Sequence, residues 1–234
     1  MRIALMVIRL IWAVPYYLTR MTWMGKHSSK EKTFAFVKHC VKMCNKKGRV
    51  KVIAHGLENL PEKDGFVLFP NHQGLYDVLS FLETCPRPFS FVFKKELKDV
   101  ILLKQVINCT HSLCIDRDDL RQSLEVIKEM TERVKNGENF LIFAEGTRSK
   151  LGNRMQDMKG GSFKSAVKAK APIVPCALID CFKPFDEKST KQLTAQVYYL
   201  KPMYYEEYKD MTTVEIAAEV RRRIEEVLFK FDAR

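Results

Sequence analysis

The run Phe66-Val-Leu-Phe-Pro70 is apolar at every position and is closed by the polar turn Asn71-His-Gln-Gly74. A run this short and uniform reads as a strand buried inside a sheet, because a helix needs more length and a stripe. Comparable runs predict strands near 50–54, 66–69, 90–93, 112–115, 140–143, 173–179 and 195–200. Between them, apolar residues fall at helical spacing near 78–84, 97–107, 119–135, 162–170 and 213–229. The last segment opens with Thr212-Thr-Val-Glu215, a capping-box pattern, and keeps Ile216, Val220, Ile224 and Val227 on one face. This alternation predicts an α/β fold, a mixed and largely parallel sheet flanked by helices. At 234 residues the chain suits one such domain with a short appendage. Ligand groups in such sheets collect where strands give way to loops.

Two of those strand ends carry chemistry. His72 and Asp77 stand five residues apart directly after the first run, with the carboxylate in the opening turn of the next predicted helix. A His and an Asp so placed can form an ordered imidazole–carboxylate pair. Such an imidazole can accept a proton near neutral pH, since its unperturbed pKa is about 6.5. About seventy residues later, Phe140-Leu-Ile-Phe-Ala-Glu-Gly-Thr-Arg-Ser149 is a second apolar run ending in a glycine-containing turn. Between the two lies Leu113-Cys-Ile-Asp-Arg117, and after them Ala171-Pro-Ile-Val-Pro175.

In this order and spacing the four blocks resemble the glycerolipid acyltransferase family, 1-acylglycerol-3-phosphate acyltransferases in particular. That family reads NHxxxxD, a hydrophobic run closing on Asp-Arg, FPEGTRS and VPIVP. The resemblance covers about residues 50 to 180, and Ala144 stands where the family usually has proline. It implies His72 as general base and Asp77 as the group that orients it. For the acceptor phosphate it implies Glu145, Gly146, Thr147 and Arg148, with Arg117 and Lys94 as further contacts. Arginine suits this role because its planar fork binds two phosphate oxygens at once. The implied reaction moves an acyl group from acyl-CoA or acyl-carrier protein to the free hydroxyl of lysophosphatidic acid, giving phosphatidic acid, with no further cofactor. Glycerol 3-phosphate or another lyso-lipid is the alternative acceptor, and a non-catalytic basic membrane-binding protein is the rival of a different class. No G-x-S-x-G elbow is present, so the lipid hydroxyl itself is expected to attack the thioester.

The charge of the chain points the same way. Lys and Arg number 40 against 28 Asp and Glu, a formal +12. Anionic headgroups and nucleic acid both attract such a chain, and no nucleic-acid-binding module is recognisable in it. Seven irregularly spaced cysteines imply a reducing compartment and no disulfide framework. His39, Cys40 and Cys44 lack a second ligand pair, so no metal site is expected.

Residues Ile3 to Leu18 are apolar apart from Arg9, with Trp12, Tyr16, Tyr17 and Trp23 gathered toward the far end. That is shorter than the roughly 20 apolar residues of a membrane-spanning helix, and Pro15 interrupts it. No small-residue cleavage site follows, which argues against a signal peptide. From Gly25 to His55 nine basic residues face a single acid, Glu31. Residues 1–48 are therefore expected to form a two-helix segment lying on an anionic membrane surface at the cytoplasmic face, with 49–234 as the catalytic domain.

Overall fold

The computed structural model of the chain describes residues 2–116 and 118–232. Three helices open it: α1 (Arg2–Arg9), α2 (Val14–His27) and α3 (Lys30–Gly48). The alternating part follows as β1 (Val50–His55), β2 (Val67–Pro70), α4 (Asp77–Thr84), β3 (Phe89–Lys94), α5 (Leu103–Cys109), β4 (Leu113–Ile115), α6 (Leu120–Lys135) and β5 (Asn139–Leu141). It ends with α7 (Lys164–Ala169), β6 (Ile173–Ile179), α8 (Lys183–Asp186), β7 (Leu193–Tyr199), α9 (Tyr205–Tyr208) and α10 (Thr213–Asp232). The seven strands form one sheet in the order β1-β7-β6-β2-β5-β3-β4. Every pairing is parallel except β6 with β7.

Strand β2 lies at the centre, between β6 and β5, and all four of its residues are buried. Its side chains alternate between two cores, as the pleat requires. Phe66, just before the strand, and Leu68 join Phe34, Val37, Val41, Phe81 and Leu82 on the side of α3 and α4. Val67 and Phe69 join Val126, Met130, Val134, Ile216, Val220 and Ile224 on the side of α6 and α10. The fold is thus three layers, helix–sheet–helix, as the sequence leads one to expect. Helix α10 begins with the capping box. Thr212 donates its amide and hydroxyl to Glu215 Oε2 at 2.7 and 2.8 Å, and the Glu215 amide donates back at 3.3 Å.

The expected helix over 97–107 is shorter than its periodicity suggests. A single 3-10 turn (Lys95–Leu97) precedes α5, and the chain between them is irregular, with Leu102 at φ 72°. The apolar N-terminal stretch is divided as well. Pro15 stands in the first turn of α2, where its fixed φ suits a helix start, and α1 meets α2 at 88°. Among the described residues no single helix is long and apolar enough to cross a membrane. Met6 of α1 and Met21 of α2 enter the same core as α3. The buried Arg2 guanidinium donates to the carbonyls of Gly48, Ser189 and Lys191 at 2.6, 2.7 and 2.9 Å, docking α1 on the end of α3. Ile3, Ile8, Tyr16 and Trp23 of these helices, and Ile11 and Trp12 in the turn between α1 and α2, stay exposed.

Candidate active site

Strands β2 and β5 are neighbours and parallel, with Val67 opposite Phe140 and Leu68 opposite Leu141. Their C-terminal ends therefore deliver the two motif turns side by side. His72 leaves the end of β2, and its ring stacks on Phe143 just beyond β5, with centroids 4.0 Å apart. Its Nδ1 lies 2.8 Å from Asp77 Oδ2. The same oxygen accepts the amides of Gln73 at 2.7 Å and Gly74 at 3.0 Å. Asp77 is wholly buried at the first position of α4, where the helix N-terminus favours a negative charge. Burial pushes its carboxyl above the ordinary range, and the imidazole and the two amides oppose that. An ionised Asp77 is an acceptor only, so Nδ1 carries the proton of this hydrogen bond. Nε2 is left as the basic nitrogen of a ring that is partly open to solvent.

The second turn is bolted to the first through the backbone. Glu145 is buried, and its two oxygens accept the His72 amide at 2.6 Å and the Gln156 amide at 2.9 Å. Burial is the largest influence on this carboxyl and pushes it upward, against the pull of the Gln156 and His72 amides. The Ser149 amide donates to the His72 carbonyl at 2.8 Å, and the Lys159 amide to the Ala144 carbonyl at 2.9 Å. Glu145 thus faces the protein, whereas the sequence pattern groups it with the substrate-facing residues of its block. Its partners lie 73 and 11 residues away, beyond any local signal.

Gly146, Thr147 and Lys94 meet on a cleft of about 290 Å³, together with Lys95 and Lys159. Gly146 sits at φ 79°, which favours glycine, and a Cβ there would press on the flexible end of Lys159, 3.1 Å from its Nζ. Lys94 pairs with Glu96 at 3.2 Å and Lys95 with Asp116 at 2.6 Å. Lys159 has no ion pair among the described residues. Arg148 follows Thr147, half-buried, and its guanidinium has no acidic partner among the described residues. Arg117, the remaining expected contact, lies outside the described residues. A larger cleft of about 770 Å³, near Tyr204 and Arg223, contains none of the motif residues. Among the described residues no group of three His, Cys, Asp or Glu is arranged to hold a metal ion.

Two further residues shape the site without having been singled out in the sequence. The Asn71 side chain accepts the Leu178 amide at 2.7 Å and donates to the Leu178 carbonyl at 3.2 Å, extending the sheet by one rung. Gln73 donates to the Leu178 carbonyl at 2.9 Å and accepts the Cys181 amide at 2.8 Å. Both hold the His72 turn against β6. Asn71 is the first residue of the NHxxxxD pattern, whereas the only sequence signal of Gln73 is its place next to His72.

The sequence matches the Acyltransferase family model over residues 51–179, more than half of the chain. Among curated proteins, the 1-acyl-sn-glycerol-3-phosphate acyltransferase of Borreliella burgdorferi is 27% identical over 146 residues, which is 62% of this chain and 58% of that protein. The probable 1-acyl-sn-glycerol-3-phosphate acyltransferase of Mycoplasma genitalium is 32% identical over 137 residues, 56% of this chain and 49% of that protein. The Helicobacter pylori protein described by the same activity is 28% identical over 150 residues, 60% of this chain and 63% of its own length. The chain thus spans between about half and three-fifths of the length of these relatives. Among solved structures, the LPA acyltransferase PlsC of Thermotoga maritima superposes with a TM-score of 0.78 at 21% identity, covering 100% of this chain and 99% of that one. At that identity the likeness concerns the fold.

Proposed function

The chain belongs to the Acyltransferase family, and from that premise we propose that it is a membrane-associated O-acyltransferase that converts 1-acylglycerol-3-phosphate to phosphatidic acid. The observation that carries this reading is the hydrogen bond between His72 Nδ1 and Asp77, in a turn tied through the His72 amide to Glu145, whose neighbours Gly146 and Thr147 line a cleft with Lys94. The names of the curated relatives support lysophosphatidic acid as acceptor.

In the proposed reaction His72 Nε2 takes the proton of the sn-2 hydroxyl as that oxygen attacks the thioester carbonyl. Asp77 holds the Nδ1–H tautomer and stabilises the imidazolium that forms, the role its counterpart has in serine hydrolases. The tetrahedral intermediate then expels the thiolate, and the imidazolium returns its proton to sulfur. The acyl group passes directly to the lipid oxygen, with no covalent acyl-enzyme. Arg148 and Lys94 hold the acceptor phosphate, joined by Arg117, and Gly146 and Thr147 line its seat. Glu145 acts through the backbone, fixing His72 relative to that seat.

The donor is an acyl thioester, carried by coenzyme A or acyl-carrier protein. Residues 1–48 form the membrane-associating segment and 49–234 the catalytic domain, working at the cytoplasmic face. Exposed Ile8, Trp12, Tyr16 and Trp23 support this reading, since large apolar and aromatic side chains of this kind settle at the headgroup boundary.

The test is purified protein with labelled acyl-CoA and, separately, labelled acyl-carrier protein. Lysophosphatidic acid, glycerol 3-phosphate and lysophosphatidylcholine serve as acceptors, and products are resolved by mass. Phosphatidic acid should dominate. A product from glycerol 3-phosphate alone would reassign the acceptor, and no acylated product from any acceptor would overturn the reading.

A further inference from the structure

The irregular stretch ahead of α5 exposes three consecutive apolar side chains: Val100 is 47%, Ile101 75% and Leu102 41% exposed. The next residue, Leu103, packs on the core, so the three before it are displayed beside a place where apolar burial is available. Their display is fixed by the backbone. Leu102 has φ 72° and ψ −49°, a conformation that side chains rarely adopt and that local structure must hold. The Gln105 side chain accepts the Leu102 amide at 2.9 Å and closes this turn. Exposed Lys98 and Lys104 flank the tip, and Lys104 pairs with Asp99 at 3.0 Å. Lys94 and Lys95, both exposed, stand a few residues earlier. An apolar tip set among lysines suits lipid: the apolar side chains enter the acyl boundary while the ammonium groups stay with anionic headgroups.

The placement of the tip adds to its composition. Helix α5 packs on α2: Cys109 Sγ meets the Met21 carbonyl at 3.3 Å, and a Cβ on Gly25 would contact Asn108 at 3.6 Å. The tip is therefore carried by the same helical unit that exposes Trp12, Tyr16 and Trp23. We propose that the Val100–Leu102 tip is a second lipid-inserting element, entering the same anionic phospholipid surface as α1 and α2. The inference rests on the membrane reading above and adds a second point of contact to it. One helical face alone leaves the domain free to pivot on the bilayer. A second contact reached through Lys94 and Lys95, which line the cleft, holds that cleft at headgroup level.

The full chain should be tested for co-sedimentation with vesicles of equimolar phosphatidylcholine and phosphatidylglycerol, as wild type and as Ile101→Asp, Ile101→Ser, Trp12→Asp and the Trp12→Asp/Ile101→Asp double variant. Ile101→Asp should lower the partition coefficient on the order of tenfold or more, because a carboxylate replaces an apolar side chain at the lipid boundary. Ile101→Ser should lower it less, and the double variant should show the product of the two single losses. Ile101→Asp should keep the wild-type melting temperature and wild-type turnover on a short-chain, water-soluble acceptor. Wild-type vesicle binding by folded Ile101→Asp overturns the proposal. Should that variant fail to fold, wild-type binding by Ile101→Ser overturns it instead. Ile101-dependent binding by a protein that acylates no acceptor would leave the tip standing and remove the enzymatic reading.

Discussion

Glu145→Gln separates a residue that holds the site from one that touches substrate. The wild-type carboxylate accepts two backbone amides, from His72 at 2.6 Å and from Gln156 at 2.9 Å, and is 2% exposed. A glutamine offers one acceptor and one donor in the same space. One amide must then face an NH₂ group, losing its hydrogen bond with no water to replace it. A buried donor left this way costs about 1–3 kcal/mol. Part of that is offset, because a neutral side chain no longer carries the burial cost that pushes the wild-type carboxyl upward. A net loss of about 1–2 kcal/mol remains, which for a chain of this length lowers the melting temperature by about 2–8 °C. Displacing the His72 amide also moves the side chain proposed as base, and a misplacement of about 1 Å can cost on the order of 10²-fold in rate. Thermal unfolding followed by steady-state kinetics with varied acceptor should therefore show lower stability and lower kcat at a nearly unchanged acceptor KM. An unchanged melting temperature with a selectively raised acceptor KM would refute the reasoning and turn Glu145 toward the phosphate.

Asp77→Asn should keep the fold but offer Nδ1 an ambiguous partner, lowering kcat on the order of 10²–10⁴-fold; wild-type turnover in folded protein would remove Asp77 from the mechanism. Arg148→Lys replaces a bidentate fork with a point charge, so acceptor KM should rise while donor KM holds; the reverse pattern would move Arg148 to the thioester. Glu138 is raised by burial, but its hydrogen bonds to Arg133 and Lys30 and their charges outweigh that and hold it down to about 2. Its folded pKa lies below the unfolded one, so its contribution is present above about 4.3 and is lost as the solution is acidified toward 2. Burial also lowers Lys30, which makes the gain partial. Urea unfolding between about pH 5 and 3 should show wild type losing stability more steeply than Glu138→Gln, and equal slopes would count against the network.

The central strands were legible because β2 and β5 are buried on both faces and so read as unbroken apolar runs. The pairing of His72 with Asp77 was legible for a related reason: a strand end and the next helix start leave little freedom between them. Glu145 was not, since its position in the motif resembles that of a ligand contact while its partners are backbone amides of distant segments. Arg2 is a similar case. A basic residue at a helix start reads as solvated, yet it is buried on three carbonyls, two of them nearly the whole chain away. The stretch 97–107 was misread in length because Leu97, Val100, Ile101 and Leu103 mimic helical spacing. Positive φ at Leu102, which periodicity does not report, breaks the segment there. The two-helix reading of residues 1–48 takes the apolar stretch as a single helix; Pro15 interrupts it in the sequence, but the chain there forms two helices, α1 and α2, that meet at 88°.

The central claim is that His72 Nε2 is the base that frees the acceptor hydroxyl. Single-turnover acyl transfer to lysophosphatidic acid, in wild type and His72→Ala matched for melting temperature and vesicle binding, tests it most directly. General-base catalysis contributes about 10²–10⁴-fold, so the variant should transfer more slowly by that factor while the acceptor KM stays near wild type. Near-native transfer by folded His72→Ala would contradict the account.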